Sequence, residues 1–174
     1  MSKIPFDLTR IKGVVFDVDG VLSPSTVPMN ENGEPARMVN IKDGYALQLA
    51  VKSGVKIAII TGATTPSLNL RYNALGIKDV YLKASHKLAV LQEWADKEGL
   101  TFDELAFVGD DVPDIKCMEA VALSVCPADA AVDVRAISTY ITNADGGYGV
   151  ARELLEELLR VRGQWMSDAK AFGW

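Results

Sequence analysis

Short apolar stretches rich in β-branched residues recur along the chain, and stretches with helical periodicity separate them. Several apolar stretches are hydrophobic on both faces, which is typical of parallel strands covered by helices. The pattern therefore predicts an α/β fold with a doubly wound parallel sheet. The predicted strands are Val14–Val18, Val55–Ile60, Val80–Leu82, Leu105–Val108 and Ala122–Val125. The predicted helices are Asp43–Lys52, Pro66–Leu75, Lys87–Lys97, Pro113–Ala120 and Arg152–Val161, and Thr101–Glu104 matches a capping box.

One segment, Ser23–Ile41, departs from this alternation because it is rich in proline and asparagine and has few apolar residues. Asn32-Gly33 is a favoured hairpin turn, and Thr26–Met29 and Ala36–Ile41 are the two predicted arms. The segment is too short to be a separate capping domain. We therefore expect a small hairpin that projects from the sheet.

The composition narrows the class of protein. The chain has 174 residues, 49% of them hydrophobic, which suits one domain over residues 1–174 with a C-terminal tail at 163–174. Its 23 acidic and 18 basic residues give a net charge of -5, which disfavours a nucleic-acid-binding protein. We find no signal peptide and no apolar run of ~20 residues, so we expect a cytoplasmic protein without membrane contact.

The chain has few residues for thiol or histidine chemistry. Cys117 and Cys126 are spaced unlike paired metal ligands, and we expect them to be core residues. The single histidine, His86, has no G-x-S-x-G or comparable nucleophile motif to accompany it. Any chemistry must therefore use carboxylates, lysine, hydroxyl groups and a metal ion.

Two aspartates follow the first predicted strand. Asp17 and Asp19 are two positions apart, so the strand period places them on one side of the chain. They lie at the carboxyl end of the predicted sheet, where open α/β folds bind ligands. Paired carboxylates repel each other unless a hard cation or a shared proton offsets the repulsion. A solvated turn fits the D-x-D-G pattern equally well when it is taken alone.

Further polar groups are predicted at the same edge of the sheet. Thr61 and Gly62 follow the second strand and offer a hydroxyl and backbone N–H groups to a phosphate. Lys87 opens the helix before the fourth strand. That strand is followed by three acids: Asp110, Asp111 and Asp114. Taken singly, the Thr-Gly pair fits an ordinary turn and the lysine fits a solvated surface.

The combination is far more specific, and with it the chain resembles the haloacid dehalogenase superfamily of phosphotransferases. The matching features are D-x-D-G-V after the first strand, Thr-Gly after the second, a helix-borne lysine, and G-D-D-x-x-D after the fourth. The resemblance implies that Asp17 is the nucleophile and forms an aspartyl-phosphate, while Asp19 is the general acid and then the general base. It also implies that Thr61 and Lys87 hold the phosphoryl oxygens.

The same resemblance implies a Mg²⁺ cofactor. Its ligands would be the carboxylates of Asp17 and Asp110 and the backbone carbonyl of Asp19. Asp114 would orient the lysine or a metal-bound water. Asp111 would have a less direct supporting role around these ligands.

The resemblance covers nearly the whole chain and narrows to a capless branch that includes the 3-deoxy-D-manno-octulosonate 8-phosphate phosphatases. It is carried by Gly20–Ser23 with the following hairpin, by Asn40–Tyr45, by Arg71 before Leu75-Gly76-Ile77, and by Gly146–Glu153. The substrate contacts that it implies are Asp19, Asn40, Ile41, Lys42, Asp43, Gly44, Thr61, Gly62, Arg71 and Lys87. An arginine fork suits the carboxylate of a sugar acid. Without the family, Asp43 fits a helix N-cap and Arg71 a solvated helix face equally well.

The implied reaction is hydrolysis of 3-deoxy-D-manno-octulosonate 8-phosphate to the sugar acid and phosphate. Ala63 and Gln48 stand where arginines are expected in the family, and Pro24 replaces an aspartate. These departures leave open another phosphosugar, such as a nine-carbon 2-keto-3-deoxy sugar acid 9-phosphate.

A receiver-like signalling domain also gathers acids, a hydroxyl and a lysine around Mg²⁺. In receivers the acidic pair usually follows the first strand and the phosphorylated aspartate a middle strand. The order of motifs here differs and favours the enzyme.

The resemblance also implies a homotetramer. A site without a cap still benefits from excluding bulk water, and the tail contains the apolar residues Trp165, Met166, Phe172 and Trp174. We therefore expect the hairpin and the tail of one subunit to enclose the active site of a neighbour. A monomer whose tail folds back on its own surface stays an alternative.

Overall fold

A six-stranded parallel sheet with helices on both faces organises the chain. The computed structural model describes residues 2–167 and 169–173. The strands are β1 (Gly13–Phe16), β2 (Lys56–Ile60), β3 (Asp79–Tyr81), β4 (Leu105–Val108), β5 (Leu123–Cys126) and β6 (Tyr140–Ile141). The helices are α1 (Ile41–Lys52), α2 (Ser67–Ala74), α3 (Lys87–Glu98), α4 (Ile115–Ala120), α5 (Val132–Ile137) and α6 (Val150–Val161). The strand order is β3-β2-β1-β4-β5-β6, so the predicted fold class is confirmed.

The predicted strands correspond to β1–β5, and the predicted helices to α1–α4 and α6, with ends that differ by a few residues. The capping box at Thr101 is confirmed, since Oε2 of Glu104 accepts the backbone N–H of Thr101 at 3.0 Å. The sequence analysis missed α5 and β6. These elements have six and two residues, too few for a periodic pattern, and β6 forms because Tyr140 pairs with Val125 of β5.

The sheet separates two hydrophobic cores. Every residue of β1, β4 and β5 is buried. Val14 and Phe16 face the core beneath α1, α2 and α6, whereas Val15 faces the core beneath α3, α4 and α5. Cys117 and Cys126 are buried in this second core, as predicted. Within the described ranges, no helix has both the length and the apolar character needed to cross a bilayer.

The winding of the sheet reverses next to β1. The chain runs outward from β1 through β2 to β3 and then returns to β4 on the other side of β1. Phe16 and Val108, the last residues of β1 and β4, lie in register. A reversal of this kind opens a crevice at the carboxyl ends of the strands. The loops after β1 and β4 therefore lie side by side.

The predicted hairpin, residues 23–41 and hereafter the hairpin segment, is less regular than expected. Between its two predicted arms, the described residues form one antiparallel bridge, Met29 with Pro35, and Ser23 forms a parallel bridge with Asp19. The two predicted arms are therefore not strands. Pro28 and Pro35 lack the N–H groups that a longer ladder needs, and Ile41 already belongs to α1.

The C-terminal tail contacts its own chain. The ring of Trp165 meets that of Tyr45 edge to face, with centroids 5.9 Å apart, and the Arg152 guanidinium lies 4.5 Å from the Trp165 ring centroid. Phe172 is 73% exposed. Trp174, which the sequence analysis included in the apolar tail, lies outside the described residues. Enclosure of a neighbouring site by the tail stays a prediction.

Candidate active site

Asp17 and Asp19 lie in a tight turn directly after β1. The carbonyl of Val18 accepts three backbone N–H groups, from residues 21, 22 and 23, at 2.9 to 3.2 Å. Asp17 is buried, and its Oδ1 accepts the N–H of Val18 at 2.7 Å. Both aspartates line the same cavity, so the turn brings the predicted acidic pair to the carboxyl edge of the sheet.

Gly20 allows this turn to approach the loop after β4. Its φ is +79°, a left-handed backbone conformation that residues other than glycine rarely adopt. A Cβ atom at this position would overlap Oδ2 of Asp110. The glycine is therefore required by both its backbone conformation and its close contact with an acidic site residue.

Lys87, the first residue of α3, joins two buried carboxylates. Its Nζ lies 2.8 Å from Oδ2 of Asp17 and 2.7 Å from Oδ1 of Asp114. Burial acts to lower the pKa of Lys87, but the charges of Asp17 and Asp114 outweigh it and raise that pKa above its ordinary value. Burial and the charge of Asp114 raise the pKa of Asp17 to about 6 despite the lysine. Lys87 is thus a fixed cation beside the predicted nucleophile.

Asp114 and Asp111 shape the turn after β4. Oδ2 of Asp114 accepts the N–H of Asp110 at 3.1 Å and that of Asp111 at 3.4 Å. Oδ1 of Asp111 accepts the N–H of Val112 at 2.8 Å. These placements suit the supporting roles that the sequence analysis assigned to both residues, and the roles themselves stay predictions.

Asp110 completes an acidic cluster that suits a divalent cation. Asp17, Asp110 and Asp114 each place a carboxylate oxygen within 4.8 Å of the other two. The oxygens of Asp114 are occupied by Lys87 and backbone donors. In the part of the chain that the structure describes, nothing donates a hydrogen bond to the Asp110 carboxylate. Burial, with the charges of Asp17 and Asp114, raises the pKa of Asp110 to about 7. A cation between Asp17 and Asp110 would offset this repulsion, so the residues fit the predicted Mg²⁺.

Thr61 and Gly62 lie at the end of β2 and face the same cavity. The Thr61 hydroxyl accepts the N–H of Ala63 at 3.2 Å, and the space beside Gly62 is open. The cavity has a volume of about 490 Å³. It brings together eight of the predicted site residues: Asp17, Asp19, Thr61, Gly62, Lys87, Asp110, Asp111 and Asp114.

Arg37, which was not among the predicted site residues, pairs with Asp19. Its Nε donates to Oδ1 of Asp19 at 2.7 Å, and its Nη2 donates to Oδ2 at 2.8 Å. The Asp19 carboxylate therefore faces Arg37, and its predicted contribution to the metal site is limited to the backbone carbonyl. No local pattern could have identified the pair, because Arg37 is 18 positions away in an irregular segment.

The predicted substrate contacts at the start of α1 lie outside the cavity lining. Asn40 is the N-cap of α1, because its Oδ1 accepts the N–H groups of Lys42 and Asp43 at 2.9 and 3.2 Å. The alternative in which Asp43 is the N-cap is therefore wrong. Asp43 is buried, and its Oδ1 accepts the N–H of Arg152 in α6 at 2.7 Å. Lys42 and Ile41 are exposed. The predicted contacts of these residues with substrate stay predictions.

Arg71 lies on α2 beside Gly44, the last of the predicted contacts at α1. A Cβ atom at position 44 would overlap the Arg71 guanidinium. Arg71 and Arg37 both line a second cavity of about 300 Å³ between the hairpin segment and α2. Because Arg37 also bonds Asp19, the two cavities meet at the Arg37–Asp19 pair. The structure thus places Arg71 near the catalytic cavity without making it part of the lining.

Sequence comparisons point to one family. Residues 72–154 match the family model of haloacid dehalogenase-like hydrolases. The chain is similar to the 3-deoxy-D-manno-octulosonate 8-phosphate phosphatase KdsC of Salmonella typhi, with 37% identity over 161 residues. The matched region covers 92% of this chain and 85% of that relative.

Solved structures agree with the sequence comparison. The Moraxella catarrhalis 3-deoxy-D-manno-octulosonate 8-phosphate phosphatase, in complex with magnesium, phosphate and KDO, matches with 33% identity and a TM-score of 0.83 over 88% of each chain. The cobalt-bound Haemophilus influenzae phosphatase matches with 29% identity and a TM-score of 0.87, over 95% of this chain and 98% of that chain.

Proposed function

Because this chain belongs to the haloacid dehalogenase-like hydrolases, in the branch of the 3-deoxy-D-manno-octulosonate 8-phosphate phosphatases, we propose that it is a Mg²⁺-dependent phosphomonoesterase. The observation that carries the proposal is the 2.8 Å pairing of Asp17 with Lys87 in a cavity that Asp110 and Thr61 also line. A carboxylate beside a fixed cation is suited to attack the phosphorus of an anionic substrate.

The first half-reaction transfers the phosphoryl group to the protein. A carboxylate oxygen of Asp17 forms a bond to phosphorus, and the bond from phosphorus to the sugar oxygen breaks. Asp19 donates its proton to that departing oxygen, which leaves as a hydroxyl group. Lys87 and the Thr61 hydroxyl donate hydrogen bonds to the phosphoryl oxygens, where negative charge develops.

The second half-reaction returns the protein to its starting state. A water oxygen attacks phosphorus, Asp19 accepts the proton of that water, and the bond between phosphorus and Asp17 breaks. Inorganic phosphate leaves, and Asp19 carries the proton needed for the next cycle. When bound between Asp17 and Asp110, Mg²⁺ supplies positive charge that offsets the carboxylates and the phosphate.

The proposed substrate is 3-deoxy-D-manno-octulosonate 8-phosphate. The names of the relatives support this choice, because both the Salmonella typhi and the Moraxella catarrhalis proteins are phosphatases of that compound. The second cavity supports it too, because Arg71 there offers a guanidinium group to a sugar acid carboxylate.

Two departures from the family pattern affect residues that could select the substrate. Ala63 is buried in the lining of the catalytic cavity, so a missing arginine there removes a donor from the site itself. Gln48 lies on α1, where its Oε1 accepts a hydrogen bond from Lys52 at 3.1 Å. A nine-carbon 2-keto-3-deoxy sugar acid 9-phosphate is therefore the second compound to test.

The proposed assembly is a homotetramer. The family resemblance supplies the number, and exposed apolar residues in the hairpin segment support an interface there. Met29 is 74% exposed and Ile41 60%. Light scattering at micromolar concentration tests the assembly, and a monomer with full activity would contradict it.

The function is tested by phosphate release from both sugar acid phosphates, from hexose phosphates and from nucleotides, compared by kcat/KM with and without Mg²⁺. Multiple turnovers of p-nitrophenyl phosphate would exclude a receiver-like domain, which is phosphorylated without turning over. Asp17→Asn keeps the shape of the side chain and loses its nucleophilic charge, so turnover should be abolished. Asp19→Asn should also be severe. Near-normal activity of either variant would contradict the mechanism.

A further inference from the structure

We propose that Arg37 is a positioning residue for the reaction, which holds the carboxylate of Asp19 in one orientation and makes the hairpin segment part of the catalytic machinery. The inference rests on the proposed function, in which Asp19 moves the proton. It adds a residue outside the four catalytic positions that the sequence analysis named.

The geometry of the pair is that of a fork. Nε and Nη2 of Arg37 donate to the two oxygens of Asp19 at 2.7 and 2.8 Å, so two parallel hydrogen bonds fix the plane of the carboxylate. The third guanidinium nitrogen, Nη1, donates to Oγ1 of Thr65 at 2.9 Å. The Arg37 side chain is only 10% exposed, whereas that of Asp19 is 44% exposed. Asp19 would otherwise be free to rotate at the mouth of the cavity.

The backbone on both sides of Arg37 is anchored. The N–H of Ala36 donates to the carbonyl of Pro28 at 2.7 Å. The N–H of Met38 donates to Oγ of Ser23 at 3.1 Å, and Ser23 is buried four positions after Asp19. The arginine therefore extends from a support that is tied to the catalytic turn itself.

The pairing orients Asp19 without blocking its chemistry. Each carboxylate oxygen has two lone pairs, and the arginine uses one on each oxygen. A remaining lone pair can carry the proton that Asp19 donates to the leaving oxygen, and it can then accept the proton of the attacking water. Because proton transfer depends on placement, a small rotation of Asp19 would slow both half-reactions.

The two half-reactions respond differently to the leaving group, and this difference gives the test. A sugar oxygen leaves poorly without a proton, whereas p-nitrophenolate leaves readily without one. A misplaced Asp19 should therefore slow phosphoryl transfer from 3-deoxy-D-manno-octulosonate 8-phosphate but not transfer from p-nitrophenyl phosphate. Hydrolysis of the aspartyl-phosphate needs Asp19 with either substrate.

The experiment compares Arg37→Gln, Arg37→Lys and Thr65→Val with the wild type on these two substrates. For Arg37→Gln we expect kcat on the sugar acid phosphate to fall roughly 10- to 100-fold, with little change in KM. Arg37→Lys should not restore it, because an ammonium cannot form the fork. Thr65→Val should lower kcat by roughly 2- to 10-fold, since it removes one supporting hydrogen bond.

Stopped-flow measurement with p-nitrophenyl phosphate distinguishes a positioning role of Arg37 from a purely structural one, because it measures the burst and the later turnover separately. Arg37→Gln should show a burst of about one p-nitrophenolate per active site at the wild-type rate, followed by slow turnover. Thermal unfolding of each variant establishes that it is folded. Thr65→Val keeps the inference testable if Arg37→Gln does not fold.

Three results would overturn the inference. An increase in KM with unchanged kcat in Arg37→Gln would show that Arg37 acts only in substrate binding. An unchanged kcat in Arg37→Gln would remove the role altogether, and an equal loss of burst and turnover would indicate a structural role. Asp19→Asn separates this inference from the proposed function. If that variant is active, the mechanism itself fails, whereas an inactive Asp19→Asn beside a normal Arg37→Gln refutes only the role of Arg37.

Discussion

Nζ of Lys87 lies 2.8 Å from Oδ2 of Asp17, and this contact joins the start of α3 to the end of β1. The same nitrogen reaches Asp114, so one cation separates two buried carboxylates. Removing one partner of a buried ion pair leaves uncompensated charge, which costs more than the loss of an exposed pair. The lysine is therefore a support of the fold as well as a candidate donor to the phosphoryl group.

We expect Lys87→Ala to lower kcat/KM roughly 10²-fold or more, because a donor to the developing negative charge is lost. This corresponds to a loss of a few kcal/mol of transition-state stabilisation. Lys52→Ala is the matched control, since Lys52 is an exposed lysine whose Nζ donates to Gln48 on the same helix. Kinetics of both variants with p-nitrophenyl phosphate and Mg²⁺ provide the measurement. Equal losses in the two variants would show that Lys87 supports the fold without contributing to phosphoryl transfer.

We expect Gly20→Ala to abolish most of the activity and to weaken Mg²⁺ binding. The new methyl group would overlap Oδ2 of Asp110, and the backbone at φ +79° would be strained. Gly33→Ala is the control, because Gly33 has φ +78° but open space around it. It should cost only the left-handed strain, about 1 kcal/mol, and keep its activity. Isothermal titration with Mg²⁺ and kcat/KM of both variants test this, and an active Gly20→Ala enzyme would be the contrary result.

The stabilising effect of Mg²⁺ should grow with pH. Without a cation the pKa values of Asp17 and Asp110 are about 6 and about 7, both raised from 3.8 mainly by burial. The folded protein then binds more protons than the unfolded chain between about pH 4 and pH 7, so these groups reduce stability as the pH rises through that window. A bound cation offsets that loss.

Thermal unfolding with and without millimolar MgCl₂ should show a small rise in Tm at about pH 5 and a larger one at about pH 8. Asp110→Asn should remove most of the rise and should stabilise the metal-free protein at the higher pH. Chelation with EDTA should stop phosphate release from the wild type, and added Mg²⁺ should restore it. A rise in Tm that is the same at both pH values would contradict the linkage to these carboxylates.

Asp43 should make a separate contribution to the pH dependence of stability. Burial raises its pKa from 3.8 to about 6. The ionised form therefore destabilises the fold by up to roughly 3 kcal/mol, and this loss of stability develops as the pH rises from about 4 to about 6. Asp43→Asn keeps an oxygen for the N–H of Arg152 and removes the charge. The stability of the variant relative to the wild type, from urea unfolding, should increase between about pH 4 and pH 8. The exposed Asp103→Asn should show no such increase, and a flat difference for Asp43→Asn would contradict the prediction.

The main acidic site was predictable from local sequence. Asp17 and Asp19 directly follow a buried strand, Thr61 follows the next, and Asp110 follows the fourth. Parallel strands end at the same edge of a sheet, so residues at corresponding positions converge even though they are far apart in the chain. The periodic hydrophobic pattern thus predicted the strands, most of the helices and the edge of the sheet where the candidate site lies.

Other features depend on contacts that no local pattern encodes. The six residues of α5 and the two of β6 are too short for a period to appear, and β6 exists only through its pairing with β5. By position Asp43 suited either a substrate contact or a helix cap, yet Asn40 occupies the cap and Asp43 joins α1 to α6. Only the packed helices could decide between the two residues, because both carry a side-chain oxygen suited to capping.

The sequence by itself predicted which side chains form the candidate site, and the tertiary structure decided how they are held. Lys87 was predicted at the site from its helix, but its simultaneous contact with Asp17 and Asp114 is a long-range relationship between three elements. The pairing of Arg37 with Asp19 had no signal in the chain, because an irregular segment has no period from which a side-chain direction can be deduced. Strand and helix periods are local properties of the backbone, whereas these ion pairs arise only when the sheet brings distant loops to one edge.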